Sequence, residues 1–404
     1  MLKITRRSLT KGRYSFLEVR AMNPSPQRRP TVSFPPQTSL LFAPFSSTAS
    51  NAPFDRDIKK LQRENSLLTS IKYSVPDVSE YDYVRDEMAC RLVDRLDDVK
   101  RHFPLALDIG SGCGHIYRAI CRDDALSLEE EEKDGSNDIS KADERFSGGV
   151  GGVRRLVQVD SCELVLRRDE EESESNVSTE EEQNRCATYR MVHDEELADG
   201  GKLPFPDGTF DLVISSGSLH WVNDLPGVMA EAKRVLKPDG CILLAIVGGS
   251  TLPELRSALV LAETERHGGV SPHVGPFTEG NDIGSLLTSA GFTLPTVDVD
   301  TIHIEYPNMM VLMEHIQRMG EGNACVQRRQ GTLGWETFVA ASAICEEMFS
   351  PPEEKDRGLV ASMQVIYAIG WSPHENQPKP AARGSGTRTI GDISGMITKN
   401  KKEI

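Results

Sequence analysis

The sequence predicts an α/β fold built on a mostly parallel sheet of seven strands. Continuous apolar runs such as "CILLAIVGG" are typical of strands that are covered on both faces. These runs alternate with segments of helical periodicity, which is the order expected for a parallel sheet. The first run, "LALDIG", leads into a glycine-rich turn before a helix, where parallel sheets bind their ligands.

Composition narrows the class of protein. The chain has 404 residues and a net charge of −15, which argues against a general nucleic-acid surface. Its hydrophobic content of 38% is low for a compact globule and indicates a folded core diluted by disordered segments. The eight cysteines are scattered without a C-x-x-C pair, so we expect neither a zinc site nor disulfides, and a reducing compartment. No apolar run approaches the ~18 residues of a membrane helix.

The N-terminal segment, residues 1–52, differs from the rest of the chain. Lysine and arginine are frequent, hydroxylated residues and proline are abundant, and Glu18 is the one acid before residue 50. This composition is typical of an organelle transit peptide, and an untargeted disordered tail is the alternative. We predict a disordered mitochondrial transit peptide, because arginine is used heavily near the start.

The elements follow in order along the chain. Residues 53–103 are predicted to be a helical lead-in that stops at Pro104. Residues 104–375 form the predicted sheet domain, and residues 376–404 an extended tail. Two acidic stretches without periodicity, at about 127–152 and 169–185, are predicted to be disordered insertions. The remaining predicted strands lie in "VRRLVQVD", "ATYRMVHDEE", "GTFDLVISSGSLHW", "CILLAIVGG", "TVDVDTIHIEY" and "SMQVIYAIGW", with the last strand antiparallel near the edge.

The turn after the first strand carries the pattern D-x-G-x-G-x-G, formed by Asp108, Gly110, Gly112 and Gly114. A dinucleotide fingerprint would need a later glycine, but His115 stands there. The pattern resembles motif I of the S-adenosylmethionine-dependent methyltransferases, which have a Rossmann-like class I sheet. A glycine-rich turn without a ligand is the alternative. The resemblance implies that these four residues bind S-adenosyl-L-methionine.

Further cofactor residues are assigned at the ends of later strands. Asp160 ends the second strand, where a carboxylate is placed to accept the two ribose hydroxyls, and helix capping is the alternative. It follows the first strand unusually late because the acidic insertion intervenes. Asp194 and Glu195 close the third strand, where the resemblance implies an acid against the adenine amine. Ser215, on the fourth strand, is also assigned to the cofactor.

A narrower resemblance extends from about residue 53 to residue 393. "SLHWVNDLPG", "ETERHGGVSPHVGPFTEGNDIGSLLTSAGF", "VDVDTIHIEYPNMMVLMEHIQRMGEGNA" and "QVIYAIGW" resemble a family of mitochondrial complex I assembly factors. The resemblance implies an S-adenosylmethionine-binding enzyme that hydroxylates an arginine on an iron–sulfur core subunit of complex I. It implies the mitochondrial matrix, peripheral contact with the inner membrane through complex I intermediates, and no nucleic acid. The acidic insertions and an extra "LADGGK" depart from the family and put the adenine side in doubt.

Candidate catalytic residues lie in "SLHWVNDLP", after the fourth strand. His220 is suited to handle a proton near neutral pH, Trp221 to stack on a guanidinium, and Asp224 to pair with it through two hydrogen bonds. The alternatives are a histidine with satisfied hydrogen bonds, a packing tryptophan and a helix-capping aspartate.

Two other patterns were weighed. His193 to Glu195 have H-x-E spacing, but no second histidine completes an iron site, and we predict no metal. A charged, glycine-containing patch is interpreted as a lid, a client-binding surface or a solvated helix end; its members are Glu263, Glu265, Arg266, His267, Gly268, Gly269 and His273. A methyltransferase acting on a protein or small molecule, and a non-catalytic assembly chaperone, remain alternative functions.

Overall fold

The computed structural model describes residues 2–8, 15–21, 52–73, 78–121, 149–169, 186–193, 201–329, 331, 333–349 and 358–378. Most of the two predicted insertions lies outside this set, as do Asp194, Glu195 and the tail from residue 379. The predicted insertion and domain limits therefore stay predictions.

One sheet of nine strands organises the fold, in the order β1-β2-β8-β9-β7-β6-β3-β4-β5. Its seven strands from β3 to β9 confirm the predicted α/β class: β9 runs antiparallel to β7 and β8, and the other neighbouring pairs are parallel. The bounds are β1 Leu2–Ser8, β2 Ser15–Ala21, β3 Leu105–Ile109, β4 Arg155–Asp160, β5 Ala187–Val192, β6 Phe210–Ser216, β7 Leu236–Val247, β8 Thr293–Tyr306 and β9 Leu359–Trp371.

Two strands were not expected. The sequence analysis predicts disorder over residues 1–52, whereas β1 and β2 form an antiparallel pair and β2 joins β8 in parallel. Both segments lack proline, and β8 would otherwise be the edge of the sheet, which offers unpaired backbone groups to another strand. Residues 1–52 therefore contribute two strands to the sheet, and the transit-peptide assignment stays a prediction.

Helices cover the sheet. Their bounds are α1 Arg56–Tyr73, α2 Tyr83–Asp97, α3 115–121, α4 Glu163–Leu166, α5 Leu225–Val235, α6 Pro253–His267, α7 Gly280–Ser289, α8 Met309–Arg318 and α9 Trp335–Phe349. The predicted lead-in is two helices, α1 and α2. Helix α2 buries Met88, Leu92 and Leu96 completely and contacts β6 and β7, so its apolar stripe fixes it on the sheet.

Helix α5 passes directly into β7. It ends at Val235, and Leu236 already pairs with Phe210 in the sheet. The pairing register then shifts, and Asp239 adopts a left-handed φ of 64°, so the "KPDG" segment is a bulge within β7.

All eight cysteines lie in described parts of the chain, and none of them forms a disulfide there. Within the described residues, no helix combines the length and apolar character needed to cross a membrane.

Candidate cofactor and substrate site

The turn after β3 exposes bare backbone. Gly110, Gly112 and Gly114 have φ values of 70°, 59° and 93°, a region that side chains rarely occupy. A Cβ atom on Gly110 would lie 2.0 Å from the Oγ of Ser218, so no larger residue fits without a shift of the neighbouring loop. The sequence places glycine where the chain must be both left-handed and close to another segment.

Asp160 ends β4 beside this turn. Its Oδ2 accepts hydrogen bonds from the Gly112 amide at 2.9 Å and from Arg63 Nη2 at 2.8 Å, and its Oδ1 accepts one from the Cys162 amide at 2.9 Å. Burial opposes ionisation, but the Arg63 charge and these hydrogen bonds outweigh it and lower the pKa of Asp160. The N-cap position of the following helix is Cys162, so Asp160 is not the N-cap residue.

Asp108 is the second buried acid of the turn. It is fully buried on β3, and neither carboxyl oxygen has a hydrogen-bond partner among the described residues. Burial, followed by the charge of Asp160, raises the pKa of Asp108 well above its usual value. Asp108 and Gly114 do not line the adjacent cavity, whereas Gly110, Gly112 and Asp160 do.

The first cavity opens beside the turn and holds about 810 Å³ of space, counted out to open solvent. Basic side chains of the lead-in helices line it, namely Arg56, Lys59 and Arg63 of α1 and Arg85 of α2. His193, Ser216, Gly217 and Ser218 also contribute. Pocket-lining residues therefore come from the strand ends and the loops that follow them, and from the helical segment that precedes β3 in sequence.

Ser215 does not line this cavity. Its hydroxyl is buried and donates to the Ile109 carbonyl oxygen at 2.7 Å, which ties β6 to β3. The neighbouring Ser216 lines the cavity instead, because successive residues of a strand point to opposite faces. The assignment of Ser215 to the cofactor stays a prediction.

The Trp221 ring has close protein neighbours, which limits the predicted stacking on a guanidinium. Lys59 Nζ lies 3.6 Å from the ring centroid, and Phe54 and Phe277 approach edge-on with centroids 5.1 Å away. Lys59 also donates to the carbonyl oxygens of Gly320 and Gly322, and burial, opposed by Glu321, lowers its pKa to about 7. Trp221 therefore offers its Nε1–H rather than its face.

That Nε1–H donates to Glu321 Oε2 at 2.6 Å, and His220 Nε2 lies 3.3 Å from the same oxygen. Arg85 Nη2 donates to the other oxygen, Oε1, at 2.5 Å. Burial opposes ionisation of Glu321, but Arg85 and His220 outweigh it and hold its pKa well below the usual value. Burial lowers the pKa of His220, so its imidazole is neutral near pH 7.

Asp224 belongs to a helix end instead. Its Oδ1 accepts a hydrogen bond from the Gly227 amide at 2.9 Å at the start of α5, and it lines neither cavity described here. The structure thus brings His220 and Trp221 together with Glu321 and leaves Asp224 as the helix cap that the sequence analysis kept as an alternative.

A second cavity of about 810 Å³ adjoins the first. Arg85, Gly217, Trp221 and Glu321 line both cavities, so Glu321 stands in their common wall. The remainder of the second cavity is largely apolar and includes Val84, Met88, Leu255, Phe277, Leu312 and Met319. This cavity suits a ligand with an aliphatic portion that ends near the Glu321 carboxylate.

The glycine-containing patch closes one side of this cavity. Glu263 is buried and accepts hydrogen bonds from the Ser271 amide and from His273 Nε2, each at 2.9 Å. These bonds hold the loop after α6 in place, and its His273 and Val274 line the second cavity. Glu263 is therefore buried, whereas residues 265–269 of the patch are exposed at the end of α6. The three interpretations of the patch stay predictions.

A polar cluster supports the glycine turn from another side. Asp82, Cys113 and His115 place metal-ligand atoms within 4.8 Å of one another. Arg168 pairs with Asp82 at 2.6 Å, and Arg118 lies 3.6 Å from the Cys113 sulfur. Guanidinium groups therefore already contact the Asp82 carboxylate and the Cys113 sulfur. Burial disfavours the charged His115 imidazole, but its surroundings, Cys113 first, raise its pKa to about 9.

A glycine turn after β3 and a carboxylate ending β4, on a sheet of this order, define a methyltransferase-type domain. Residues 149–244 match the family model described as a methyltransferase domain. The YcgJ protein of Bacillus subtilis, a solved structure, is 15% identical with a TM-score of 0.41, covering 70% of this chain and 98% of that chain.

More specific relatives match along most of the length. The protein named arginine-hydroxylase NDUFAF5, mitochondrial, from Danio rerio is 40% identical over 352 residues, which is 87% of this chain and 92% of the relative. The Homo sapiens protein of the same name is 38% identical over 352 residues, 86% of each chain. This chain belongs to the NDUFAF5 arginine-hydroxylase family, which confirms the resemblance found in the sequence.

Sequence reasoning missed Glu321, Arg63, Lys59, Arg56 and Arg85. Glu321 lies in "RMGEGNA", inside a string quoted for the family resemblance, but no spacing relates it to His220. The sequence signal for Glu321 was an acid flanked by two glycines in an otherwise uncharged loop.

Proposed function

We propose that the first cavity binds S-adenosyl-L-methionine. Gly110 and Gly112 line this cavity with bare main chain, and such backbone suits a ligand that touches the main chain. Asp160 would accept the ribose hydroxyls, and the lead-in helices offer guanidinium and ammonium groups to the carboxylate of the amino-acid end. When bound, this cofactor supplies an activated methyl group for methyl-transfer chemistry.

The chain itself, we further propose, hydroxylates an arginine of an iron–sulfur core subunit of complex I during its assembly in the mitochondrial matrix. One observation carries this proposal: the relatives named arginine-hydroxylase match over 352 residues, far beyond the methyltransferase domain at 149–244. That length includes most of the chain that builds the second cavity. Peripheral contact with the inner membrane follows from binding assembly intermediates of complex I.

The residues at the common wall of the two cavities would position the substrate and exclude water, and none of them would react with oxygen. Glu321 supplies fixed negative charge, His220 a neutral imidazole, and the apolar second cavity keeps water from the target side chain. With dioxygen as the oxygen source, the O–O bond breaks and one oxygen atom converts a C–H bond of the arginine into C–OH. The other oxygen atom leaves as water, with two electrons and two protons taken from an external reductant.

The test is mass spectrometry of the client subunit from cells that lack this protein. We expect the arginine to lose a modification equal to one oxygen atom, and re-expression of the wild-type chain to restore it. Re-expression of a Gly110→Ala chain should not restore it, because the added methyl group would displace Ser218 in the wall of the cofactor cavity. An arginine that keeps its added oxygen in the deleted cells rejects the proposed reaction.

Methyl transfer is the second candidate, because the matched family model is a methyltransferase domain and the cofactor residues would be shared. A client or small molecule that gains one methylene instead of one oxygen would establish it. A non-catalytic chaperone is distinguished by assembly that proceeds with a normal amount of complex I while neither mass change occurs.

A further inference from the structure

We propose that Glu321, together with His220, is the subsite that recognises the guanidinium group of the substrate, and that Arg85 occupies this subsite until the substrate arrives. This inference rests on the proposed function, since it takes an arginine side chain as the substrate. It assigns a specificity role to a residue that the glycine motif and the methyltransferase core do not contain.

The first step concerns what Glu321 accepts. Both of its oxygens receive hydrogen bonds from side chains: Oε1 from Arg85, and Oε2 from Trp221. A carboxylate offers about four lone-pair sites, so Oε1 and Oε2 together can accept further donors in the plane of a guanidinium. The guanidinium of Arg85 at 2.5 Å is direct evidence that the pocket around Glu321 accommodates this group.

His220 adds a second acceptor. Because the ionised Glu321 only accepts hydrogen bonds, the neutral His220 ring must direct its Nε2–H toward Oε2. Its Nδ1 is then an acceptor, and this atom is buried without a partner among the described residues. His220 is 6% exposed and lines the second cavity, so a ligand entering there can supply the missing donor. A guanidinium carries five N–H donors and no acceptor.

The second cavity fits the rest of an arginine side chain. Aliphatic and aromatic residues, among them Leu255, Phe277 and Leu312, line the approach to Glu321. An arginine stem buries its methylene groups along such surfaces while the charged end finds a carboxylate. A citrulline side chain has the same stem but lacks the charge, so it should be rejected.

The Arg85 side chain is placed so that it can move away from Glu321. Its side chain and that of Glu321 are each 19% exposed, and both residues line both cavities. Arg85 can therefore turn into the first cavity without crossing the protein core. Arg85 and Lys59 both place positive charge beside Glu321. A substrate cation would add a third positive group there, so Arg85 has to move away when the substrate binds. Competition between Arg85 and the substrate is a direct consequence.

The experiment uses calorimetry on the purified full chain with N-acetyl-arginine methylamide as the probe and the citrulline analogue as its neutral match. We expect wild-type protein to bind the arginine probe and not the citrulline probe. Arg85→Met should bind the arginine probe at least about tenfold more tightly, since the competing guanidinium is gone. Glu321→Gln should lose binding. Arg95→Met is the matched control, because Arg95 lies on the same helix and pairs with Asp298 away from both cavities.

Opposite effects of the two variants separate recognition from a structural ion pair, which predicts equal loss of stability and no change in affinity. Arg85→Lys keeps a cation and tests the same point if Arg85→Met does not fold; it should tighten binding less. Wild-type protein that binds both probes equally, or Glu321→Gln that keeps the arginine probe but loses S-adenosyl-L-methionine, overturns the inference.

The two proposals fail separately. A client arginine that is never oxygenated rejects the reaction but leaves the probe preference intact. A client that is oxygenated by Glu321→Gln protein, or a probe that ignores Glu321, rejects the subsite and leaves the reaction standing.

Discussion

Replacing Gly110 by alanine tests whether the glycine turn is a cofactor cradle. Gly110 has a φ of 70°, and a non-glycine residue there costs about 1–2 kcal/mol. The added Cβ would also lie 2.0 Å from Ser218 Oγ, and forcing a methyl group into packed surroundings costs about 1–3 kcal/mol. We therefore expect Gly110→Ala to lower the free energy of unfolding by about 2–5 kcal/mol, against a total stability of about 5–15 kcal/mol for a typical domain.

The assays are urea unfolding and calorimetry with S-adenosyl-L-methionine. Gly208→Ala is the matched control, because Gly208 has a similar φ of 61° and a Cβ there meets nothing within 4 Å. It should cost only the backbone part and leave cofactor binding unchanged. Combining Gly110→Ala with Ser218→Gly should recover the steric part. If Gly110→Ala matched Gly208→Ala in stability and still bound the cofactor, the cradle argument would be wrong.

Three further predictions follow from single contacts. Asp224→Ala should lower stability by about 1 kcal/mol through loss of a helix cap, as measured by urea unfolding, and should leave binding of the arginine probe unchanged. Arg63→Met should destabilise the fold by about 3–5 kcal/mol, because buried Asp160 loses its cation; since the folded pKa of Asp160 then rises, acid unfolding should begin at higher pH. His315 is buried beside Tyr83, and burial lowers its pKa to about 4 from 6.5. The unfolded chain binds this proton first, so the contribution of His315 is present above pH 6.5 and should fall by about 2 kcal/mol between pH 7 and pH 5; His315→Asn should flatten that part of the profile.

Local chemistry explains what the sequence could predict. A left-handed turn needs glycine, and a buried parallel strand needs an apolar run. The turn at Gly110 and Gly112 and the strands from β3 to β9 could therefore be predicted from short stretches of sequence. Asp160 was accessible because it ends a strand, even though an insertion separates it from the turn. Ser215 was assigned one residue away from the cavity, because the face of a strand is fixed by its register in the sheet.

Contacts between distant segments explain what the sequence could not predict. Arg85 and Glu321 are 236 residues apart, and no periodicity links them. Basic residues on α1, such as Lys59 and Arg63, have the spacing of an ordinary solvated helix face. Only the packing of α1 beside the glycine turn buries Lys59 and partly buries Arg63. The joining of β2 to β8 likewise depends on an edge that exists only after the sheet forms.

The residues of the proposed site divide between the methyltransferase-type core and the segments around it. The core would contribute the main chain at Gly112 and the Asp160 carboxylate, which many reactions of one cofactor can share. Every lysine and arginine lining the first cavity, within the described residues, comes instead from α1 or α2, and the acceptor at the common wall comes from Glu321 after α8. A change from methyl transfer to arginine hydroxylation needs a new substrate subsite and a new charge environment, but no new cofactor fold. Variants that decide between these reactions should therefore lie at Arg85, Glu321 and the lead-in helices rather than in the glycine turn.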